Sequence, residues 1–185
     1  MRIPYTADPP PTNTPEEAEI LARVQARRAP RGLLPLDRAL LHSFPVTDGW
    51  SSFIGAIRQR TSLTPLVREL VISRVVALNG VQIEWEAHSP LLKDAGLSDA
   101  AIQVVGDVHA VIDAKVADGV LSATEGAVLK YSDAVTKTVT VPDEIFNALK
   151  ERFNEQEVVE ITATAAAYNC VGRFLVALDV GERNQ

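Results

Sequence analysis

Apolar positions recur at helical spacing along most of the chain. After Thr64, for example, apolar side chains return every three or four residues, as in a helix with a buried face. Comparable patterns predict helices at about residues 15–29, 36–43, 48–61, 65–78, 81–96, 99–117, 123–136, 143–153 and 155–178. The alternating stretch 138–142 is short and has no partner, so we interpret it as a connector. The pattern predicts an all-α protein.

Local signals indicate where several of these helices begin and end. Thr14 and Thr64 each precede a proline, so each is predicted to be an N-cap with proline at the first helical position. Ser122 and Glu125 have the spacing of a capping box. Asn79-Gly80 interrupts the apolar pattern, and either residue tolerates the positive φ of a helix end. Phe44-Pro45 is expected to end the short helix before it.

The N-terminal segment differs from the rest in composition. Residues 1–15 hold five of the 11 prolines, which indicates an extended or disordered arm outside the packed core. We therefore divide the chain into residues 1–35, an extended arm plus the first helix, and residues 36–185, a single helical domain.

Composition and charge narrow the possible partners and compartment. Hydrophobic residues make up 46% and charged residues 23%, as in ordinary globular proteins, and the net charge of −6 argues against nucleic acid. No apolar run approaches the roughly 20 residues that span a bilayer, and the N-terminus lacks the apolar region of a signal peptide. A single cysteine, Cys170, cannot form an internal disulfide, so we expect a cytoplasmic protein.

The candidate chemistry lies in the stretch NGVQIEWEAH, residues 79–88. Glu84 and His88 are four residues apart, so they share one helix face, and the carboxylate is placed to orient the imidazole. Glu69 lies on the preceding helix and would join them if the Asn79-Gly80 break lets the helices cross. By spacing alone, however, a Glu–His pair is more typical of a solvated helix face, and Glu69 of a first-turn carboxylate that complements the helix dipole.

Residues 36–180, and most strongly residues 63–105, resemble the carboxymuconolactone decarboxylase family, which also contains the alkylhydroperoxidase-type disulfide reductases. The shared features are LNG and AH around the quoted block, AGLS after it and, more weakly, the terminal YNCVGRFLVAL. The resemblance implies a helical bundle of the alkylhydroperoxidase/carboxymuconolactone decarboxylase-like type and a homo-oligomer, a trimer, hexamer or dimer. Redox members carry N-G-C-x-x-C-x-x-x-H, and aligned on it the two cysteines fall at Val81 and Glu84. Glu69 then falls on the proton-relay glutamate and His88 on the motif histidine.

The missing cysteines decide which activity we expect. Peroxide reduction through this motif needs one thiol that is attacked and one that resolves, and neither is present, so peroxidase activity is not expected. Glutamate four residues before the histidine resembles the lactone decarboxylase branch. The resemblance thus implies a cofactor-free decarboxylase, a carbon–carbon lyase, acting on a small cyclic or lactone carboxylic acid. An isomerase or dehydratase, or a non-catalytic small-molecule-binding oligomer, remains the alternative.

We expect His88 to donate the proton, Glu84 to orient it and Glu69 to be a second acid/base group or relay. Two further aromatic residues and a histidine, Trp50, Trp85 and His42, are candidates for substrate binding, although core packing and helix capping are alternative roles for them. Two carboxylates and one imidazole are able to bind a divalent ion, but no second histidine has ligand spacing nearby, so no metal is predicted.

Overall fold

Ten helices form the regular structure of residues 1–182, the part of the chain that the computed structural model describes. They are α1 (Pro15–Arg28), α2 (Pro35–Leu40), α3 (Phe44–Gln59), α4 (Pro65–Leu78), α5 (Gln82–Asp94), α6 (Asp99–Gly106), α7 (Ile112–Ala117), α8 (Ala123–Lys137), α9 (Asp143–Lys150) and α10 (Glu155–Leu178). Within these residues there is no strand, and residues 138–142 are a connector, so the all-α prediction is confirmed.

The described chain forms two compact units. One consists of Met1–Gln59 with the described part of Leu175–Gln185, and the other of Arg60–Phe174. Helix α10 begins in the second unit and ends in the first. The division that we predicted after residue 35 stays a prediction.

The second unit is built around α4. This helix packs against α5, α6 and α8. Its buried residues follow one another over consecutive positions instead of forming a single stripe, as expected for a helix surrounded by other helices. They are Val67, Glu69, Leu70, Val71, Ile72, Ser73, Arg74, Val75 and Val76. Three of these side chains are polar, and each buried polar group needs a partner.

The predicted helix 99–117 is in fact two helices, α6 and α7. In the last turn of α6 and directly after it, the carbonyl groups of Val104, Val105 and Asp107 accept hydrogen bonds from Nη1 of the buried Arg74, at 3.3, 3.1 and 2.8 Å. The guanidinium also binds Asp133 on α8. An arginine on α4 thus satisfies the carbonyls at the end of α6, so the chain can leave the helix there without burying unpaired oxygens.

The start of α3 is a second correction. We expected Phe44-Pro45 to end the preceding helix and the next helix to begin near residue 48, but α3 begins at Phe44. Pro45 lies in the first turn, where a backbone N–H has no helical partner and its loss costs nothing. The predicted caps at Thr14, Thr64 and Ser122 are all present.

The N-terminal arm belongs to the first unit. It is not helical, as predicted, but it is held in place: the Arg38 guanidinium donates to the carbonyl of Thr6 at 2.8 and 2.6 Å. Arg2 N–H donates to the carbonyl of Leu178 at 2.8 Å. Pro10 is buried, so the expectation that the arm lies wholly outside the packed core is wrong at this residue.

Helix α10 has the length and composition to cross a membrane, with 24 residues and a mean hydropathy of 1.3 over its most apolar window. We expected no apolar segment long enough to span a bilayer, and α10 is such a segment by length and composition. One such helix is weak evidence for a membrane protein, because a core helix of a soluble protein passes the same test. The helix carries Tyr168 and other fully buried side chains.

Candidate functional site

The turn between α4 and α5 brings the candidate residues together. Gly80 has φ +66° and donates its N–H to the carbonyl of Ala77, while Val81 donates to the carbonyl of Val76. These two bonds form a Schellman motif, in which glycine takes the left-handed position after a helix. The chain then reverses into α5, which packs back along α4. Sequence reasoning predicted this break correctly, and its geometry explains why Glu69 meets His88.

His88 has a partner on each ring nitrogen. Nδ1 lies 2.6 Å from Oε2 of Glu69. Nε2 lies 3.2 Å from the hydroxyl of Tyr168 and 3.4 Å from Oε2 of Glu84. The tyrosine ring also meets the imidazole edge to face, with centroids 5.2 Å apart and planes at 87°. The three predicted residues therefore converge, together with a tyrosine from α10.

Burial differs sharply across this cluster. The side chains of His88 and Glu69 are 1% and 3% exposed, whereas that of Glu84 is 18% exposed. The second oxygen of Glu69, Oε1, lies 3.4 Å from Nε of Arg68. Of the two glutamates and the histidine, Glu84 therefore has the most access to solvent, and the Glu69–His88 pair lies in the interior.

This arrangement is able to transfer a proton between the interior and the surface. A neutral imidazole that carries its proton on Nδ1 donates to Glu69, and Nε2 is then free to accept from Tyr168 or from a protonated Glu84. An imidazolium donates on both sides. The ring thus connects a buried carboxylate to a partly exposed one, and Tyr168 supplies a hydroxyl that is able to donate or accept.

The motif position at Val81 is closely packed. Val81 is 1% exposed, and a Cβ added to Gly172 of α10 would lie 3.0 Å from its Cγ2. The side chain that stands where the redox motif has its first cysteine is therefore part of the core, and only Glu84 of the two aligned positions is partly open.

Trp85 lies beside the cluster instead of within it. It is half-buried, and its ring is so close to Gly106 that a Cβ there would be 2.8 Å from Cη2. Trp85 also lines a cavity of about 240 Å³. Its other lining residues are Val76, Ala77, Gly80, Val81, Gln82 and Gly106. A substrate-binding role for Trp85 stays a prediction.

His42 and Trp50 belong to the first unit. Nε2 of His42 lies 2.7 Å from the carbonyl oxygen of Pro4, so this histidine contacts the N-terminal arm. Trp50 is half-buried on α3. Substrate binding by either residue also stays a prediction.

Sequence reasoning missed the roles of Tyr168 and Arg68 in this cluster. Tyr168 is 80 residues from His88 in sequence and lies on a different helix, so no local spacing links the two. Arg68 precedes Glu69 directly, and a charged pair near a helix start gives no sign of burial. In the described residues no group of three His, Cys, Asp or Glu is arranged to hold a metal, and the absence of a metal stays a prediction.

The same fold occurs in several solved structures. One, from Silicibacter sp. TM1040, is an uncharacterized peroxidase-related protein; it is 14% identical, with a TM-score of 0.72 over 98% of this chain and 94% of that one. The alkylhydroperoxidase AhpD core of an uncharacterized peroxidase-related protein from Ralstonia eutropha JMP134 is 18% identical, with a TM-score of 0.71 over 91% and 90%. A protein of unknown function from Agrobacterium tumefaciens, suggested to be the antioxidant defence protein AhpD, is 23% identical, with a TM-score of 0.64 over 75% and 90%. These likenesses define the fold class as AhpD-like and all-α.

The sequence profile of the carboxymuconolactone decarboxylase family matches residues 45–125, which include Glu69, Glu84 and His88. This segment is therefore similar to that family, and the sequence lacks the cysteine pair of the redox members. None of the curated proteins matches the sequence.

Proposed function

We propose that the protein is a cofactor-free lyase that decarboxylates a small cyclic or lactone carboxylic acid by acid/base catalysis. The observation that carries the proposal is the contact of one buried imidazole with carboxylates on both sides, at 2.6 and 3.4 Å. A buried pair of a histidine and a glutamate is often no more stabilising than apolar side chains of similar volume, because both groups lose their hydration. Their convergence supports an enzyme over a purely structural member.

The distances favour an exchange of the roles expected from sequence. Glu69 makes the short contact to Nδ1, so it is the better group to fix the ring, and Glu84 reaches the surface. In the proposed reaction the bond between the ring carbon and its carboxylate breaks, CO₂ leaves, and the electron pair enters the conjugated lactone carbonyl as a dienolate. Glu84, in its protonated form, then gives a proton to carbon and takes up a new proton from solvent, while His88 holds its carboxyl group in position.

The AhpD-like neighbours raise a peroxidase as an alternative, which the cysteine content opposes. Cys170 is the single cysteine of the sequence and is exposed on α10. Peroxide reduction by a dithiol needs a second thiol to resolve the sulfenic acid. Isomerisation or dehydration of a related ring acid uses the same proton chemistry. We also propose that the protein forms a homo-oligomer, which the family resemblance favours. A cytoplasmic location is proposed because the sequence has a single cysteine.

The test measures CO₂ release from a panel of unsaturated lactone acids. We expect turnover by the wild-type protein, a loss of about 100-fold or more in His88→Ala and in Glu84→Gln, and full activity in Glu86→Gln. Glu86 is the matched control, because it is an exposed carboxylate on the same helix that contacts Gln82. Equal rates in wild type and His88→Ala would remove the histidine from the mechanism.

A second arm measures peroxide consumption with a thiol donor. The proposal predicts that the wild-type protein consumes peroxide no faster than the Cys170→Ser variant. Rapid consumption that is lost in Cys170→Ser would favour the peroxidase, and no turnover in either arm would favour the non-catalytic binding protein.

A further inference from the structure

Four arginines line one cavity in the first unit. The cavity has a volume of about 310 Å³, near the lower limit of roughly 300 Å³ for ligand pockets. Arg27 and Arg28 end α1, Arg31 follows in the next turn, and Arg58 lies near the end of α3. The other lining residues are Ala29, Pro30, Leu34, Gly55 and Gln59, so no Asp or Glu lies on the wall formed by these described residues.

This concentration of charge is unusual for the chain. The protein has a net charge of −6 and only 18 Lys and Arg residues, and four of them line this cavity. Like charges held close together repel one another, which costs stability in the empty protein. An anion in the cavity would relieve that repulsion, so the cluster favours an anionic ligand.

One buried carboxylate holds part of the wall in position. Asp37, with a side chain 2% exposed, lies 2.7 Å from the Arg28 guanidinium and 3.5 Å from that of Arg27. It also accepts from the N–H of Leu34 at 2.9 Å. The pairing orders two of the arginines before any ligand arrives, which lowers the entropy cost of binding. Asp37 carries one negative charge against the four positive charges of the arginines.

We propose that this cavity binds a small anion that carries phosphate groups. The guanidinium groups come from three chain segments, the end of α1, the turn after it and the end of α3, so they approach a ligand from different directions. A phosphate group offers acceptor oxygens in several directions and up to two negative charges, whereas a planar carboxylate is matched by a single guanidinium fork. All four cations are arginines, which suit phosphate recognition. The site is independent of the His88 cluster and of the proposed lyase activity.

The experiment titrates the full chain with inorganic pyrophosphate at constant ionic strength and follows the heat of binding. We expect saturable binding at one site, and Arg31→Gln and Arg58→Gln each to weaken it by about 10-fold, as for one charge-assisted contact. Arg31 is exposed, so its replacement leaves the fold intact. Circular dichroism checks that both variants are folded.

Arg23→Gln is the matched control. Arg23 lies on α1, pairs with Asp48 at 2.8 Å and does not line the cavity, so its replacement removes the same charge elsewhere. We expect its affinity to stay within about two-fold of wild type. Absence of saturable binding, or an equal loss in Arg23→Gln, would overturn the proposal. Tighter binding of citrate than of pyrophosphate would also overturn it, in favour of a carboxylate ligand.

Discussion

Nδ1 of His88 lies 2.6 Å from Oε2 of Glu69, 19 residues earlier in the chain, and both side chains are almost fully buried. The contact joins α4 to α5 across the Gly80 turn. It fixes the imidazole so that its other nitrogen points to Glu84 and Tyr168. The orientation of the histidine is therefore set from the interior.

The first prediction concerns the stability that depends on this contact. Glu69→Ala leaves the Nδ1 side of a buried imidazole without its acceptor, so we expect the free energy of unfolding to fall by about 1–3 kcal/mol. Glu69→Gln retains an acceptor and should lose less. Urea denaturation measures both values. Glu86→Ala, an exposed change on α5, should stay within about 0.5 kcal/mol, and a loss in Glu69→Ala no larger than this would contradict the buried contact.

The second prediction separates the tyrosine hydroxyl from the ring. Tyr168→Phe retains the edge-to-face packing and removes the hydroxyl that lies 3.2 Å from Nε2 of His88. We expect a loss of about 0.5–1.5 kcal/mol and a changed ¹⁵N chemical shift at His88 Nε2.

Tyr131→Phe is the control for this experiment. Tyr131 is also buried, and its hydroxyl lies 2.7 Å from Oγ1 of Thr162. Tyr131→Phe should lower the free energy of unfolding by a similar amount without changing the ¹⁵N chemical shift at His88 Nε2. A shift of the same size in both variants would show that the Tyr168 hydroxyl does not act on the imidazole.

The convergence of Glu69, Glu84 and His88 followed from local signals in the sequence. The spacing of Glu84 and His88 put them on one helix face, and Asn79-Gly80 marked the reversal that brings Glu69 to them. The family resemblance added the reason to regard the pair as a site. Burial of the histidine could not be predicted, because a Glu–His pair looks the same on a solvated face.

Long-range contacts were outside the reach of the sequence patterns. Tyr168 joins the cluster only because α10 packs where it does. The break between α6 and α7 depends on Arg74, which lies 30 residues before Val104 in the chain. Arg74 is buried, although arginine usually prefers solvent. Local propensity favoured one continuous helix over residues 99–117, and a distant side chain overrode it.

The third prediction tests that distant side chain. Arg74→Met removes the donors for three backbone carbonyls and leaves Asp133 without its buried partner. We expect a loss of about 3–5 kcal/mol in the free energy of unfolding, measured by urea denaturation. Arg152→Met, which removes an exposed pair with Glu151, should change it by less than about 1 kcal/mol. Similar small effects in both variants would show that α6 ends without help from Arg74.

The fourth prediction concerns the contact between Trp85 and Gly106. A Cβ in Gly106→Ala would lie 2.8 Å from the indole, so we expect overpacking and a loss of about 1–3 kcal/mol. Gly49→Ala is the matched change, because a Cβ there meets nothing within 4 Å and alanine favours the helix, with a gain of about 0.5–1 kcal/mol. Thermal unfolding measures both. The double variant with Trp85→Leu should recover part of the loss, and equal melting temperatures in Gly106→Ala and Gly49→Ala would refute the contact.

The last prediction is that the free energy of unfolding depends on pH through the carboxyl group of Glu160. Although partial burial raises the pKa of its carboxyl, hydrogen bonds from Gln156 and Ser62 outweigh that effect and hold the pKa below the usual value of 4.5. Oε2 accepts from both the N–H and the hydroxyl of Ser62, at 2.8 and 2.7 Å. Because the folded pKa is lower than the unfolded one, the contribution to stability is complete above pH 4.5 and is lost as the pH falls through the folded pKa.

Glu160→Gln should therefore be less stable than wild type at neutral pH, by about 0.5–1 kcal/mol because the site is partly open to solvent. The difference in free energy of unfolding between the two proteins should shrink as the solution is acidified below pH 4.5. In that range the carboxyl of Glu160 is protonated more readily in the unfolded chain than in the folded one, which destabilises the wild-type protein. Urea denaturation of both proteins from neutral pH down to about pH 3.5 follows the difference. Because the variant does not titrate at this position, a difference that stays constant or grows in acid would mean that the Ser62 hydrogen bonds do not favour the charged carboxylate.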